Sequence, residues 1–410
     1  MTDASHDDLG SPAPGEDGGD AAPGTVVGPP TAADGPLHDL RVVDCSTVVA
    51  GPGCARYLAD FGADVIKVER PDGGDTTRAM GWHDPRDDVT FWWKLAGRNK
   101  RSIALDLKDE ADLDRMRRLV DRADVLVENF RPGTLERLGL APDDLIARNP
   151  RLVVVRVSGF GQDGPYAQRP GFATLAEAMS GFAAINGEPD GPPLLPPIAL
   201  TDEVTALVAA FATLTAVHSG VGQVVDVNLL ESLFQLMGPL MSLYRVTGEQ
   251  QPRLGSGIPY SVPRGTYRCA DGEWVAISTS AESVAQRVMQ IVGLGDDPRF
   301  ADFGGRIARR AEVDERVAAW CAERPLAEVL ATFEAAHAAA APIYDMAGLA
   351  ADPHAVARGL VADVDGTPMQ GLIARLSATP GRLRWSGRPL GADTAQVLTD
   401  LDNQTDGPAG

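Results

Sequence analysis

Lysine is almost absent from this 410-residue chain: Lys67, Lys94, Lys100 and Lys108 are the only four. With 37 basic against 57 acidic residues the formal charge is −20, which argues against wrapping nucleic acid or lying on an anionic membrane. Cysteine is equally scarce. Cys45, Cys54, Cys269 and Cys321 form no C-x-x-C pair and no zinc-like spacing, so neither a disulfide framework nor a structural metal is expected. Gly, Pro and charges interrupt every apolar run before the roughly 18–20 residues a bilayer span needs. The N-terminus has no basic start followed by an apolar stretch, so a cytoplasmic protein is expected. Walker A, H-E-x-x-H and G-x-S-x-G motifs are missing, which leaves those nucleotide-binding, metallohydrolase and serine-hydrolase readings unsupported.

The 44% hydrophobic and 23% charged composition is that of a globular chain, long enough for two domains. Residues 1–37, rich in Gly, Pro, Ala and Asp, have too little apolar surface to offset the entropy of ordering and read as a disordered acidic tail. From Leu40 strands and helices alternate. Strands are expected at 40–44, 64–69, 103–107, 125–128, 152–157 and 222–227. Helices are expected at 54–61, 110–122, 171–184, 203–218 and 229–245, with Gly51-Pro52 as a turn before the first. This is α/β patterning: a Rossmann-like large domain over 38–247, then a linker over 248–265. A smaller α/β domain follows over 266–350, and a strand- and turn-like segment over 351–410 returns to the large domain.

Gly159-Phe160-Gly161-Gln162-Asp163-Gly164 matches G-x-G-x-x-G after a strand, yet Pro165-Tyr166 follows where a dinucleotide fold needs a helix N-terminus. The lysines cluster with Arg70, Arg78, Arg98 and Arg101, and Arg131 and Arg137 come further on. That stretch reads either as a basic island for an anionic ligand or as an ordinary solvated face. Asp202 follows an apolar, proline-rich segment and precedes an apolar helix. It reads either as an N-cap or as a nucleophilic carboxylate kept ionised by the helix dipole, and the two roles are compatible.

Several segments together resemble the family III CoA-transferases, which include formyl-CoA transferase and α-methylacyl-CoA racemase. They are Val48 to Pro52, Ala59 to Pro71, Gly73 to Asp75, Asn99 to Lys108, Asp124 to Gly133, Asn149 to Leu152, Ser158 to Gly161 and Gly222 to Val227. The resemblance implies a Rossmann-like CoA-binding domain, a smaller domain inserted late, and an interlocked homodimer. It also implies coenzyme A or acyl-CoA as substrate, with no permanently bound cofactor. Arg70 and Arg137 fall at CoA-contacting positions, with Lys108, Val49 and Thr134 as further candidates. Val49 stands where formyl-CoA transferase has a glutamine, and Asp202 falls on the nucleophile. The racemase Gly-His-Asp motif corresponds to Gly171-Phe172-Ala173, which lacks the histidine as proton-exchanging base and a polar group beside the site.

The expected reaction is CoA transfer from an acyl-CoA to a carboxylic acid through an aspartyl-CoA thioester on Asp202. The rivals are an acyl-CoA isomerase or racemase and a non-catalytic acyl-CoA-binding protein. Gly255-Ser256-Gly257 is a candidate oxyanion loop or simply a flexible link.

Overall fold

The computed structural model describes residues 28–403. Of the expected tail, residues 1–27 lie outside the described residues. Residues 28–37 include a short turn of helix, Ala32–Asp34, and Leu37, whose N–H bonds the Phe61 carbonyl at 2.9 Å.

Six strands form the main sheet: β1 Arg41–Asp44, β2 Asp64–Glu69, β3 Lys100–Ala104, β4 Val125–Glu128, β5 Val153–Ser158 and β6 Gln223–Asn228. All pairs are parallel, in the order β3-β2-β1-β4-β5-β6. This is the doubly wound order, with its reversal between β1 and β4. Ligands of such sheets bind beyond the carboxyl ends of the strands, at that reversal. Side chains alternate between two cores. Val42, Val125, Val127, Val153 and Val155 face the helices Ala50–Asp60 and Leu200–Ser219. Val43, Leu126 and Val154 face Glu110–Val120 and Thr394–Asn403. Burial on both faces is why these strands read as unbroken apolar runs.

The departures from the sequence pattern have local causes. β3 begins at Lys100, three residues before the expected Ile103, because the Lys100 and Arg101 stems are buried and their heads ion-paired. The first helix begins at Ala50, so Gly51-Pro52 lies inside its first turn, where proline's missing N–H costs nothing. Gly181 at φ +95° divides the expected 171–184 helix into Ala173–Met179 and Phe182–Ile185. Gly238 at φ +58°, followed by Pro239, divides 229–245 into Leu229–Gln235 and Leu240–Thr247. Thr394–Asn403 was not expected in a strand- and turn-like segment; Val397 and Leu401 seal the second core.

One further reading is corrected. Leu200–Ser219, with a window of mean hydropathy 1.4, is by length and composition apolar enough to cross a membrane. Its small-residue stripe, including Thr205, Ala206, Ala209 and Thr213, is buried against the body of the protein.

Beyond the main sheet, β7 Gly265–Arg268, β8 Trp274–Ile277 and β9 Ala340–Pro342 form an antiparallel sheet over a separate core that includes Val275, Phe300, Trp320 and Phe333. β10 Val361–Val364 and β11 Thr367–Gln370 pair as an antiparallel hairpin.

Candidate active site

The carboxyl end of β1 is held in an uncommon shape. Val48 has φ +70°, a left-handed conformation that a β-branched residue adopts only when its surroundings impose it. The Val48 N–H donates to Asp75 Oδ1 at 3.3 Å. The Thr47 N–H donates to Asn129 Oδ1 at 2.8 Å, and Asn129 Nδ2 returns a bond to the Thr47 carbonyl at 2.7 Å. Thus β1 and β4 are clipped together at the reversal point of the sheet. Gly51 is required here, since a Cβ would stand 2.5 Å from the Ser46 side chain. Val49 is buried at the N-cap of Ala50–Asp60 and supplies no capping bond.

Beneath this turn lies most of the expected basic island, and it is not a surface. Lys67 and Lys100 are each 1% exposed. Lys67 pairs with Asp75 at 3.0 Å and Asp44 at 3.7 Å and donates to the Ser46 carbonyl; Lys100 pairs with Asp44 at 2.9 Å. Burial alone would raise the Asp44 carboxyl, but Lys100 and Lys67 outweigh it and hold it below its ordinary value. Lys94 is held by Asp84, Arg98 by Asp60, Arg101 by Asp64 and Arg78 by Glu69. These cations are spent inside the protein. The exposed remainder is Arg70, Lys108, Arg131 and Arg137, which follow the carboxyl ends of β2, β3 and β4. Arg70 donates to the Gly74 carbonyl at 3.1 Å, and Arg137 to Thr134 Oγ1 at 2.7 Å.

Leu200–Ser219 leads into the start of β6, so it runs against the strands and its N-terminus stands at this same edge. It packs closely on Ala50–Asp60: a Cβ on Gly53 would lie 2.8 Å from that of Ala206. Asp202 sits in its first turn, but Ala199 occupies the N-cap and Asp202 accepts no backbone N–H, so the capping role is not the one it has. Among the described residues the Asp202 carboxylate has no hydrogen bond and no ion pair, with Arg70, Lys108, Thr134 and Arg137 or with any other group. Nor does the dipole dominate. Burial, with Glu177 and Glu203 adding repulsion, pushes the Asp202 carboxyl up to about 6.

The two acidic neighbours differ. Glu203 accepts from Arg56 at 3.1 Å and from Tyr57 at 2.8 Å. Glu177, 3% exposed on Ala173–Met179, accepts from Thr201 Oγ1 at 2.9 Å. Neither acid, nor Arg56 or Tyr57, was found from sequence; no motif marks them, and only the fold brings 56, 177 and 203 together. Leu200 and Glu203 line a cavity of about 870 Å³ with Trp82, Trp92, Ile198 and Ile373; Asp202 stands beside it and does not line it.

The G-x-G-x-x-G segment serves packing. A Cβ on Gly159 would lie 2.5 Å from the Gly171 Cα, and no helix follows until Ala173, so no helix N-terminus faces the loop. Phe172 is 70% exposed beside this contact. The Gly255-Ser256-Gly257 loop is not free to stabilise an oxyanion through its glycines: their N–H groups bond the Gly187 and Leu254 carbonyls at 2.9 and 2.8 Å. All four cysteines are buried free thiols, and burial pushes Cys54 up to about 12. Among the described residues no group of three or more His, Cys, Asp or Glu could hold a metal.

Comparison with known proteins bears on this edge. Residues 37–394 match the model of CoA-transferase family III. The chain is 40% identical over 378 residues to the succinyl-CoA–D-citramalate CoA-transferase of Chloroflexus aurantiacus, covering 89% of this chain and 94% of that one. It is 35% identical over 384 residues to the succinate–glutarate CoA-transferase of Agrobacterium fabrum, covering 90% and 96%. The crystal structure of a CAIB/BAIF family protein from Brucella suis superposes with a TM-score of 0.80 at 31% identity, covering 90% of this chain and all of that one. Matched over nearly its whole length by the family model and by such enzymes, the chain belongs to CoA-transferase family III.

Proposed function

We propose that this enzyme moves CoA from an acyl-CoA donor to a carboxylic acid through a covalent aspartyl-CoA thioester on Asp202. One observation carries the reading: a half-buried carboxylate at the ligand edge of the sheet, bonded to nothing and repelled by its neighbours. Such a group is a competent nucleophile once ionised. An Asp202 oxygen attacks the donor's thioester carbon, the C–S bond breaks, and a mixed anhydride and CoA thiolate result. The thiolate attacks the Asp202 carbonyl carbon and expels the donor's carboxylate, leaving aspartyl-CoA. The acceptor carboxylate then attacks this thioester, and the released thiolate takes the acceptor's acyl group from the second anhydride. Asp202 is regenerated as a carboxylate, with no net proton. Holding thiolate and anhydride together makes each exchange unimolecular, an advantage of about 7–11 kcal/mol in well-aligned systems.

Arg70, Arg137 and Lys108 are the exposed cations that pair with the nucleotide phosphates, and Thr134 and Val49 complete the CoA contacts. The acids in the relatives' names, citramalate and glutarate among them, are dicarboxylic, and a short dicarboxylic acid is the acceptor class we assign. The working form is a homodimer. Leu207, Phe211 and Leu214 leave an apolar face of Leu200–Ser219 uncovered, the kind of surface a second subunit buries.

The test is mass spectrometry of enzyme mixed with succinyl-CoA and trapped with hydroxylamine or borohydride. Modification of Asp202, and loss of transfer in Asp202→Asn, is the expected result; modification confined to another carboxylate removes the assignment. A donor–acceptor matrix read by chromatography of the CoA esters then fixes the acid.

A further inference from the structure

The reaction above uses one carboxylate, yet two more stand against it and only one of them is neutralised. Glu203 shares its charge with Arg56 and Tyr57. Glu177 is 3% exposed, and among the described residues its one side-chain partner is the neutral hydroxyl of Thr201, the residue immediately before Asp202. Thr201 is itself fully buried, and its carbonyl accepts the Thr205 hydroxyl at 2.7 Å, so this turn is fixed from both sides. Burying an acid without a cation is costly and has to be offset elsewhere.

The other charges around Asp202 do not relieve it. On Ala50–Asp60, Arg56 and Tyr57 are engaged with Glu203, and Asp60 with Arg98. Leu229–Gln235 brings only another acid, Glu231. On the adjoining strands Arg156 is held by Glu128 and Glu136, and Asp226 takes the Gln162 N–H. Glu177 raises the Asp202 carboxyl, second only to burial itself.

We propose that Glu177 is a positioning residue for Asp202: its bond to Thr201 fixes the first turn of the helix, and its charge favours the states in which Asp202 is acylated. This deepens the proposed reaction and rests on Asp202 being the nucleophile. The physical reason is simple. A free Asp202 carboxylate is anionic and repelled, whereas Asp202 in an anhydride or thioester is neutral. Acylation therefore removes the same repulsion that protonation removes.

That equivalence makes the test quantitative. Glu177→Gln keeps the size and the acceptor for Thr201 but deletes the charge. The acid limb of kcat/KM, near pH 6 in the parent, is expected to move down by about one pH unit. The equilibrium fraction of trapped aspartyl-CoA at fixed succinyl-CoA and succinate should fall by about the corresponding tenfold. The dissociation constant for CoA, measured by calorimetry, should stay unchanged. A limb that stays in place overturns the proposal, whether or not activity falls, since a merely structural role lowers kcat without moving it. Should Glu177→Gln fail to fold, Glu177→Asp keeps the charge and must keep the limb; a limb that moves down in that variant overturns the proposal equally. Full transfer by Asp202→Asn sinks the underlying reaction instead, whereas an inactive Asp202→Asn beside an unmoved Glu177→Gln limb sinks only the role of Glu177.

Discussion

Two clusters of charge, one buried and one half-buried, lie on either side of the helix Ala50–Asp60, and they are built on opposite plans. Below its N-terminus, Asp44, Asp75, Lys67 and Lys100 alternate in sign, and each is paired. On its far side, among the described residues, Glu203 is ion-paired, with Arg56, and neither Glu177 nor Asp202 has a cation. Balanced charges hold a backbone, here the left-handed Val48 turn; unbalanced ones store repulsion that a reaction can release. Under the proposed reaction the first cluster is a support and the second a reagent.

The sharpest way to separate them is to remove one member of each. Asp202→Asn is expected to lower transfer on the order of 10⁴-fold or more, as loss of a nucleophile does, while leaving the fold intact by circular dichroism. Lys67→Met does the reverse. It leaves buried Asp75 without its ion pair and takes from Asp44 one of its two cations, Lys100 remaining, and breaking a buried ion network in this way costs about 3–5 kcal/mol. Urea unfolding should show that loss as a lower midpoint. A Lys67→Met variant as stable as the parent contradicts the supporting role.

How much of this contrast was legible in the sequence depends on which forces hold each part. Strands buried on both faces announce themselves as apolar runs, so β1, β2, β4 and β5 were readable; β6 was found too, although its first four residues are exposed or half-buried. β3 was displaced by three residues because a lysine and an arginine, normally surface residues, fill its first two positions. The apolar pattern also put Asp202 at the start of a helix, and it lies in the first turn of Leu200–Ser219. It could not tell that Lys67, Lys94 and Lys100 face inward, because a cluster along the chain carries no information on which partner each cation meets. Glu177 was illegible for the same reason: its meaning comes from Thr201, twenty-four positions away, across a break at Gly181 that the helical pattern did not show.

The helix between the two clusters also packs tightly on the helix that carries Asp202. Gly53, on the helix between them, lies so close to Ala206 that an added Cβ would stand 2.8 Å from the alanine's own. Gly53→Ala should force Leu200–Ser219 outward, at a cost of about 1–3 kcal/mol for overpacking. Because Asp202 lies one turn from Ala206, kcat should fall more than binding of CoA measured by calorimetry. Equal losses in both would mean that the contact supports the fold without aiming the nucleophile.

The smallest expected effect distinguishes reagent from support by pH alone. The Asp202 carboxyl is raised from its ordinary value near 3.8 to about 6, so between those values the folded protein binds more protons than the unfolded chain. Stability must then fall as pH rises through that window, the reverse of a salt-bridged aspartate such as Asp44. The cost is complete above about pH 7, on the order of 1–2 kcal/mol after allowance for the partial exposure of Asp202. Asp202→Asn removes it. Asp202→Asn should therefore melt above the parent at pH 8 and together with it at pH 4, while parent activity runs the other way and falls as acid protonates the nucleophile. A melting difference of the same size at both pH values would mean that Asp202 is not under repulsion, and the distinction between the two clusters would be lost.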